Sequence, residues 1–133
     1  MKIYQLENHK KVRDIAIFYS KFGYGKGDPK ICQKYLLNSD VIIYSEKDNK
    51  VVGAVRSLSD GSRFAFPLDL FVDPKYRKGG IGSSLFKAIY EYYRNKNIRY
   101  IEFNTDPQDP NLEKFYKKLG CEKDKGSSVF KWK

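Results

Sequence analysis

At 133 residues and 41% hydrophobic content, the chain suits a single domain, 1–133, with 11 Tyr and 9 Phe making its core aromatic. Lys and Arg number 26 against 16 Asp and Glu, a net charge of +10. Because Lys is spread along the whole chain, we read this as a lysine-rich surface around one anionic ligand; attraction to nucleic acid is the other reading. No apolar run approaches the ~20 residues needed to span a bilayer. The opening Met1-Lys2-Ile3-Tyr4 leads straight into polar residues, without the apolar region of a signal peptide. Cys32 and Cys121 have no metal-type spacing, so two buried free thiols in a reducing cytoplasm are expected.

Taken in order, Ile3-Tyr4-Gln5-Leu6 forms a short strand and Asn8 caps a following helix over about 9–22, with Val12, Ile15, Ala16, Tyr19 and Phe22 on one face. His9 lies among lysines in its first turn, as a solvated residue. Gly23-Tyr24-Gly25-Lys26-Gly27 ends the helix as a flexible connector; no strand precedes it, so it is not a phosphate loop. As a mobile loop it can supply one wall of a pocket. Asp28-Pro29 opens a second helix to about Leu37. Strands follow at Val41–Tyr44 and Val51–Leu58, joined by a turn at Asp48-Asn49. Asp60-Gly61 then signals a hairpin into a strand from Phe64 to Val72. Pro67 inside that strand predicts a bulge or a local loss of pairing.

After this strand comes Val72-Asp73-Pro74-Lys75-Tyr76-Arg77-Lys78-Gly79-Gly80-Ile81-Gly82-Ser83-Ser84-Leu85. Helical spacing of Ile81, Leu85, Ala88, Ile89 and Tyr92 sets in at once, giving a helix over about 80–96. A strand, a glycine-rich turn and a helix start make an anion site, with unpaired amides and the helix dipole facing a phosphate. Arg77 and Lys78 add charge. Ile98 to Asn104 forms a further strand, so the unit from Leu68 to Phe103 is βαβ with two parallel strands. Asp109-Pro110 opens a last helix with Leu112, Phe115, Tyr116 and Leu119 on its apolar side and Gly120 as its C-cap. Ser128 to Trp132 reads as a terminal strand. The fold class is mixed α/β, with an antiparallel N-terminal half and a central βαβ unit.

Arg77-Lys78-Gly79-Gly80-Ile81-Gly82 resembles the Arg/Gln-x-x-Gly-x-Gly/Ala signature of the GNAT superfamily of N-acetyltransferases. Phe115-Tyr116-Lys117-Lys118-Leu119-Gly120-Cys121 is similar to its Phe-Tyr-x-x-x-Gly-Phe segment, and the order of elements fits from about residue 2 to residue 132. The resemblance implies a GNAT-like fold with splayed parallel strands. It also implies acetyl-coenzyme A as acetyl donor and an amine, on a small molecule or a protein, as acceptor in a ternary complex. The pyrophosphate would lie on Arg77, Lys78, Gly79, Gly80, Ile81, Gly82, Ser83 and Ser84, held mainly by backbone. The pantetheine arm would pair with Leu70, Phe71 and Val72. Tyr116 takes the position of the family's general acid. The family's frequent Glu before the glycine turn is replaced by Phe66 and Leu68, leaving Asp69 or Glu102 as base or cation holder. Asp109 replaces a frequent Asn near the last helix, with Asn104 and Asn111 nearby. A monomer or homodimer without nucleic-acid or membrane partners is expected.

The reaction sets its own demand. An alkyl amine with a pKa near ~10.4 lies about 3.4 units above pH 7, so freeing its lone pair costs about 4.6 kcal/mol. A base or a water chain meets that cost. The carbonyl oxygen needs an N–H donor, for which the Leu70 or Phe71 amide is the candidate. A chain that kept the glycine turn but had no base would instead be a silent acetyl-CoA sensor.

Overall fold

The computed structural model describes residues 2–5, 11–105, 108–126 and 128–132. Asn8 and His9 lie outside the described residues. Strand β1 (Lys2–Gln5) is followed by α1 (Val12–Lys21), a 3-10 turn at Tyr24–Gly27, α2 (Pro29–Leu37), and strands β2 (Val41–Lys47), β3 (Lys50–Ser59) and β4 (Phe64–Val72). A short 3-10 turn at Pro74–Tyr76 leads to α3 (Ile81–Asn95), β5 (Tyr100–Ile101) and α4 (Pro110–Lys118). The sheet order is β1-β2-β3-β4-β5. All neighbours are antiparallel except β4 and β5, which run parallel across the α3 crossover.

Local chemistry sets the boundaries. Asp28 accepts the Lys30 amide at 2.9 Å with Pro29 at the first helical position, so α2 starts there. Asp109 does the same for α4, accepting from the amides of Asn111 (2.9 Å) and Leu112 (3.4 Å). The Asp60 carboxylate accepts three amides, from Ser62, Arg63 and Phe64, and fixes the β3–β4 hairpin. Gly120, at φ +96, ends α4.

The sheet is covered on both faces. Helix α3 buries Leu85 and Ile89 completely against Val41, Ile43, Val55 and Val72. Helices α1 and α2 bury Ile15, Tyr19 and Leu36 against Ile42, Tyr44 and Ala54. Each buried Val, Leu or Ile among them stabilises the fold by about 1.5–3 kcal/mol relative to exposure.

Two features of β4 open the sheet. The first is Pro67. Tyr100 donates to the Arg63 carbonyl (3.0 Å) and Glu102 to the Ala65 carbonyl (3.1 Å), so alternate β4 residues face β5. Position 67 is the next in that series, and proline has no N–H with which to continue. The pairing ends, and β5 keeps two residues instead of the seven expected over 98–104. The second is a bulge two residues further on. Arg56 pairs with Leu68 and Ala54 with Phe71, so Asp69 and Leu70 both stand opposite Val55. Pro67 itself stays in register opposite Ser57. Pro67 thus accounts for the lost pairing, while the bulge sits at Asp69.

The expected strand over 128–132 does not form. Those residues carry no regular structure, and Phe130 and Trp132 are almost wholly exposed. Alternation alone gives a strand nothing to pair with. Both cysteines are free; Cys32 is buried, while Cys121 is half-buried.

Candidate active site

Asp69 sits at the hinge of the site. Its φ of +58 is left-handed, a conformation that costs most non-glycine residues about 1–2 kcal/mol and Asp somewhat less. Two contacts hold it there. Tyr19, fully buried on α1, donates its hydroxyl to the Asp69 carbonyl at 2.6 Å. Arg56 Nε donates to Asp69 Oδ2 at 2.7 Å, and the pair is largely shielded from solvent. Burial, reinforced by the Asp69 charge, raises the Tyr19 pKa well above its ordinary value, so Tyr19 remains a donor.

Beyond the bulge the backbone phase is reversed. Asp73 N–H returns to the Val52 carbonyl on β3 (2.8 Å), so Leu70 and Val72 take over the free edge of β4. Arg77 folds back onto that edge. Its Nε donates to the Val72 carbonyl at 3.0 Å, and its guanidinium lies 5.1 Å from the centre of the Phe71 ring. The Arg77 side chain therefore braces the turn from within, leaving backbone amides to face an anion. Gly80 adopts φ +82 and caps α3; a Cβ there would meet nothing within 4 Å, so the glycine is needed for its backbone and not for space. Lys78 is also left-handed, at φ +72. The amides that start α3 have no partner within the helix. The glycine turn, the α3 N-terminus and the free β4 edge form one continuous backbone surface, which suits a phosphate and an extended polar chain.

That edge runs into a cavity of about 210 Å³ between the diverging strands. Pro67, Leu68, Asp69 and Leu70 line it from β4, Phe103, Asn104 and Thr105 from the segment after β5, and Leu112 and Tyr116 from α4. Tyr24 closes it from the α1–α2 connector. Tyr116 is held by rings on three sides, Phe103 at 4.6 Å, Phe86 at 5.1 Å and Phe115 at 5.1 Å between centroids. Burial, then the neighbouring Cys121 and Tyr24, push its pKa up to about 12. Tyr116 is therefore a neutral phenol at any physiological pH, able to donate a hydrogen bond.

The structure thus brings together Tyr116, Asp69 and Leu70 from the residues singled out in sequence. Val72 continues the edge, Phe71 turns its backbone to Ala54 on β3, and residues 77–84 form the turn at its far end. Glu102 is exposed and does not line the cavity. Asp109 serves as the α4 cap, and Asn104 reaches the cavity wall. Tyr24 puts the connector 23–27 at one wall of the cavity, as expected of that loop. Its signal was the glycine spacing around it. Gly23, Gly25, Lys26 and Gly27 all have positive φ and turn the Tyr24 ring onto Tyr19 (4.9 Å) and Phe71 (5.8 Å). Burial and the Asp69 charge raise its pKa, with Arg77 opposing.

Residues 9–121 match the acetyltransferase (GNAT) family. The chain belongs to that family. The uncharacterised N-acetyltransferase MJ1207 of Methanocaldococcus jannaschii is 35% identical over 54 residues, 41% of this chain and 24% of that protein. The chain thus aligns with about a quarter of that relative. A GNAT family protein of Streptococcus pneumoniae, SP0256, superposes with a TM-score of 0.81 at 27% identity, covering 98% of this chain and 96% of the other. The aminoglycoside enzyme AAC(6′)-Iy, solved with a bisubstrate analogue of CoA and acetylneamine, superposes with a TM-score of 0.79 at 19% identity, over 99% and 97% of the two chains. The GNAT fold expected from the glycine turn is the fold of this chain. No described helix is long and apolar enough to cross a membrane.

Proposed function

We propose that this GNAT protein transfers the acetyl group of acetyl-CoA to the primary amine of a small molecule, by direct attack in a ternary complex. The observation that carries the reading is continuity. One free β4 edge joins the α3 glycine turn to the cavity where Leu70, Asp69 and Tyr116 converge. The structures of AAC(6′)-Iy with CoA and with the CoA-based bisubstrate analogue support the same donor.

In this reading the amides from Arg77 to Ser84 hold the pyrophosphate, and Leu70 to Val72 align the pantetheine arm. The thioester supplies an activated carbonyl and a good leaving group. Leu70 belongs to a bulge outside the ladder, so its amide is available to the carbonyl oxygen. The amine nitrogen bonds to the acetyl carbon, the carbon–sulfur bond breaks, and one amine proton leaves. Tyr116 donates a hydrogen bond to the departing sulfur. Full proton transfer from a phenol at about 12 to a thiolate near ~8.5 would be uphill by roughly 3.5 units, about 4.8 kcal/mol. Tyr116 therefore stabilises the thiolate, which takes its final proton from water or from the amine. Asp69 holds the incoming ammonium, whose proton leaves to solvent water before the nitrogen attacks.

The silent-sensor reading is favoured by one observation. The Asp69 carboxylate already has Arg56 as a partner, and no other carboxylate among the described residues lines the cavity. The discriminating experiment measures CoA thiol release with acetyl-CoA across a panel of amines. Thiol release dependent on both substrates supports the transferase. Binding of acetyl-CoA with no release across the panel supports the sensor.

A further inference from the structure

A second concavity, about 370 Å³ and open to solvent, lies on the α2 side of the sheet. Ile31, Tyr35 and Leu58 give it an apolar floor, and Lys34, Asn38 and Arg56 its polar groups. Arg56 lines the outer groove, Asp69 lines the inner cavity, and the two are joined by the 2.7 Å ion pair. Arg56 is packed 4.5 Å from the centre of the Tyr35 ring and reaches Ser39 Oγ at 3.4 Å. Its guanidinium has five N–H donors, so donors remain beyond those given to Asp69 and Ser39.

The charges at this junction constrain the acceptor. Among the described residues lining either concavity, the charged groups are Lys34, Arg56 and Asp69. The Lys34 ammonium has no ion pair among the described residues. Two cations against one carboxylate, on a chain of net charge +10, repel a polycation. An aminoglycoside or polyamine needs several carboxylates to replace the water around its ammonium groups. This site offers one, and Arg56 already shares it.

We infer that the acceptor is an α-amino acid with an apolar side chain. The inference rests on the transferase reading above. An α-amino acid carries an ammonium and a carboxylate on one carbon, which matches the Arg56–Asp69 pair in reverse. Its ammonium meets Asp69 on the acetyl side. Its carboxylate meets Arg56 and Lys34 on the groove side, and its side chain lies on Ile31, Leu58 and the Tyr35 ring. The ion pair then orients the amine as well as bracing the bulge.

The test is acetyl transfer from acetyl-CoA to matched acceptors, followed by thiol release. The acceptors are leucine, leucinamide, 3-methylbutylamine, spermidine and kanamycin. Leucine is expected to exceed leucinamide in kcat/KM by at least tenfold, with spermidine and kanamycin the poorest. Lys34→Glu, an exposed substitution, should raise the KM for leucine about tenfold while kcat changes less than twofold. The inference is overturned if leucinamide or a polycation is the better acceptor, or if Lys34→Glu leaves the leucine KM unchanged. Absence of transfer to leucine also overturns it, even where acetyl-CoA binds. Failure to bind acetyl-CoA would remove the transferase reading as well, and a direct titration separates the two failures.

Discussion

Removing the Tyr116 hydroxyl isolates one step of the proposed reaction. In Tyr116→Phe the ring keeps its contacts with Phe86, Phe103 and Phe115. The hydroxyl makes no hydrogen bond to the described residues, so the change in stability should stay within about 1 kcal/mol. A hydrogen bond to a charged group is worth roughly 1.5–3 kcal/mol. At 1.36 kcal/mol per tenfold in rate, losing such a bond to the departing thiolate lowers kcat by about 10- to 150-fold. The KM for acetyl-CoA should change less than twofold, because Tyr116 lies at the acetyl end of the edge. Thiol release under saturating donor reads kcat, and circular dichroism checks the fold. The pH profile adds a second readout. With the phenol at about 12, its donating form persists to pH 10, so wild-type activity should show no descending limb from Tyr116 below that pH. A kcat within twofold of wild type in a folded variant would refute the assignment. So would a descending limb near pH 9 that Tyr116→Phe abolishes.

Other substitutions probe the frame. Gly80→Ala forces a Cβ onto a φ of +82, so it should cost about 1–2 kcal/mol in chemical denaturation and raise the acetyl-CoA Kd at least tenfold. In Gly82→Ala the new Cβ meets Phe115 at 3.6 Å and Val72 at 3.7 Å, ordinary contacts, so stability and binding should both be retained. Gly53→Ala places a Cβ 3.0 Å from Leu85 Cδ1 and 3.1 Å from Ile81 Cγ2; the overpacking should destabilise by about 1–3 kcal/mol, read as a lowered denaturation midpoint. The amides of Phe64, Ser62 and Arg63 lower the Asp60 pKa to about 2. This group therefore stabilises the fold above its unfolded pKa near ~3.9 and loses that contribution as pH falls toward 2. The Tm difference between wild type and Asp60→Asn should be constant from pH 7 to 5 and shrink between about pH 4 and pH 2.

Much of the frame was legible because it is written in short-range chemistry. The caps at Asp28 and Asp109, the Asp60-Gly61 hairpin and the glycine turn before α3 each act within a few residues, and each element begins or ends where they place it. The long-range consequences were harder to read. Pro67 pointed to lost pairing, yet the loss falls on the β5 side, and only the strand order reveals which neighbour is deprived of an N–H. The bulge at Asp69 follows from Tyr19 and Arg56, which lie 50 and 13 residues away. Nothing local to Leu68-Asp69-Leu70 announces it. Tyr24 looked like part of a linker because its glycines carry no periodicity; what turns it into the cavity is their left-handed backbone. The alternation at 128–132 invited a strand, but alternation supplies no partner edge. The outer groove was the least legible feature. It combines Lys34 on α2 with Arg56 and Leu58 on β3, and its meaning depends on a contact with β4.

Calorimetric titration of the protein with acetyl-CoA tests the central claim most directly. The backbone surface from Arg77 to Ser84 and the free edge at Leu70–Val72 predict one-to-one, sub-millimolar binding that weakens as salt screens the pyrophosphate. No detectable binding at roughly millimolar ligand, a concentration at which a Kd of 1 mM corresponds to about −4.1 kcal/mol, would contradict the account.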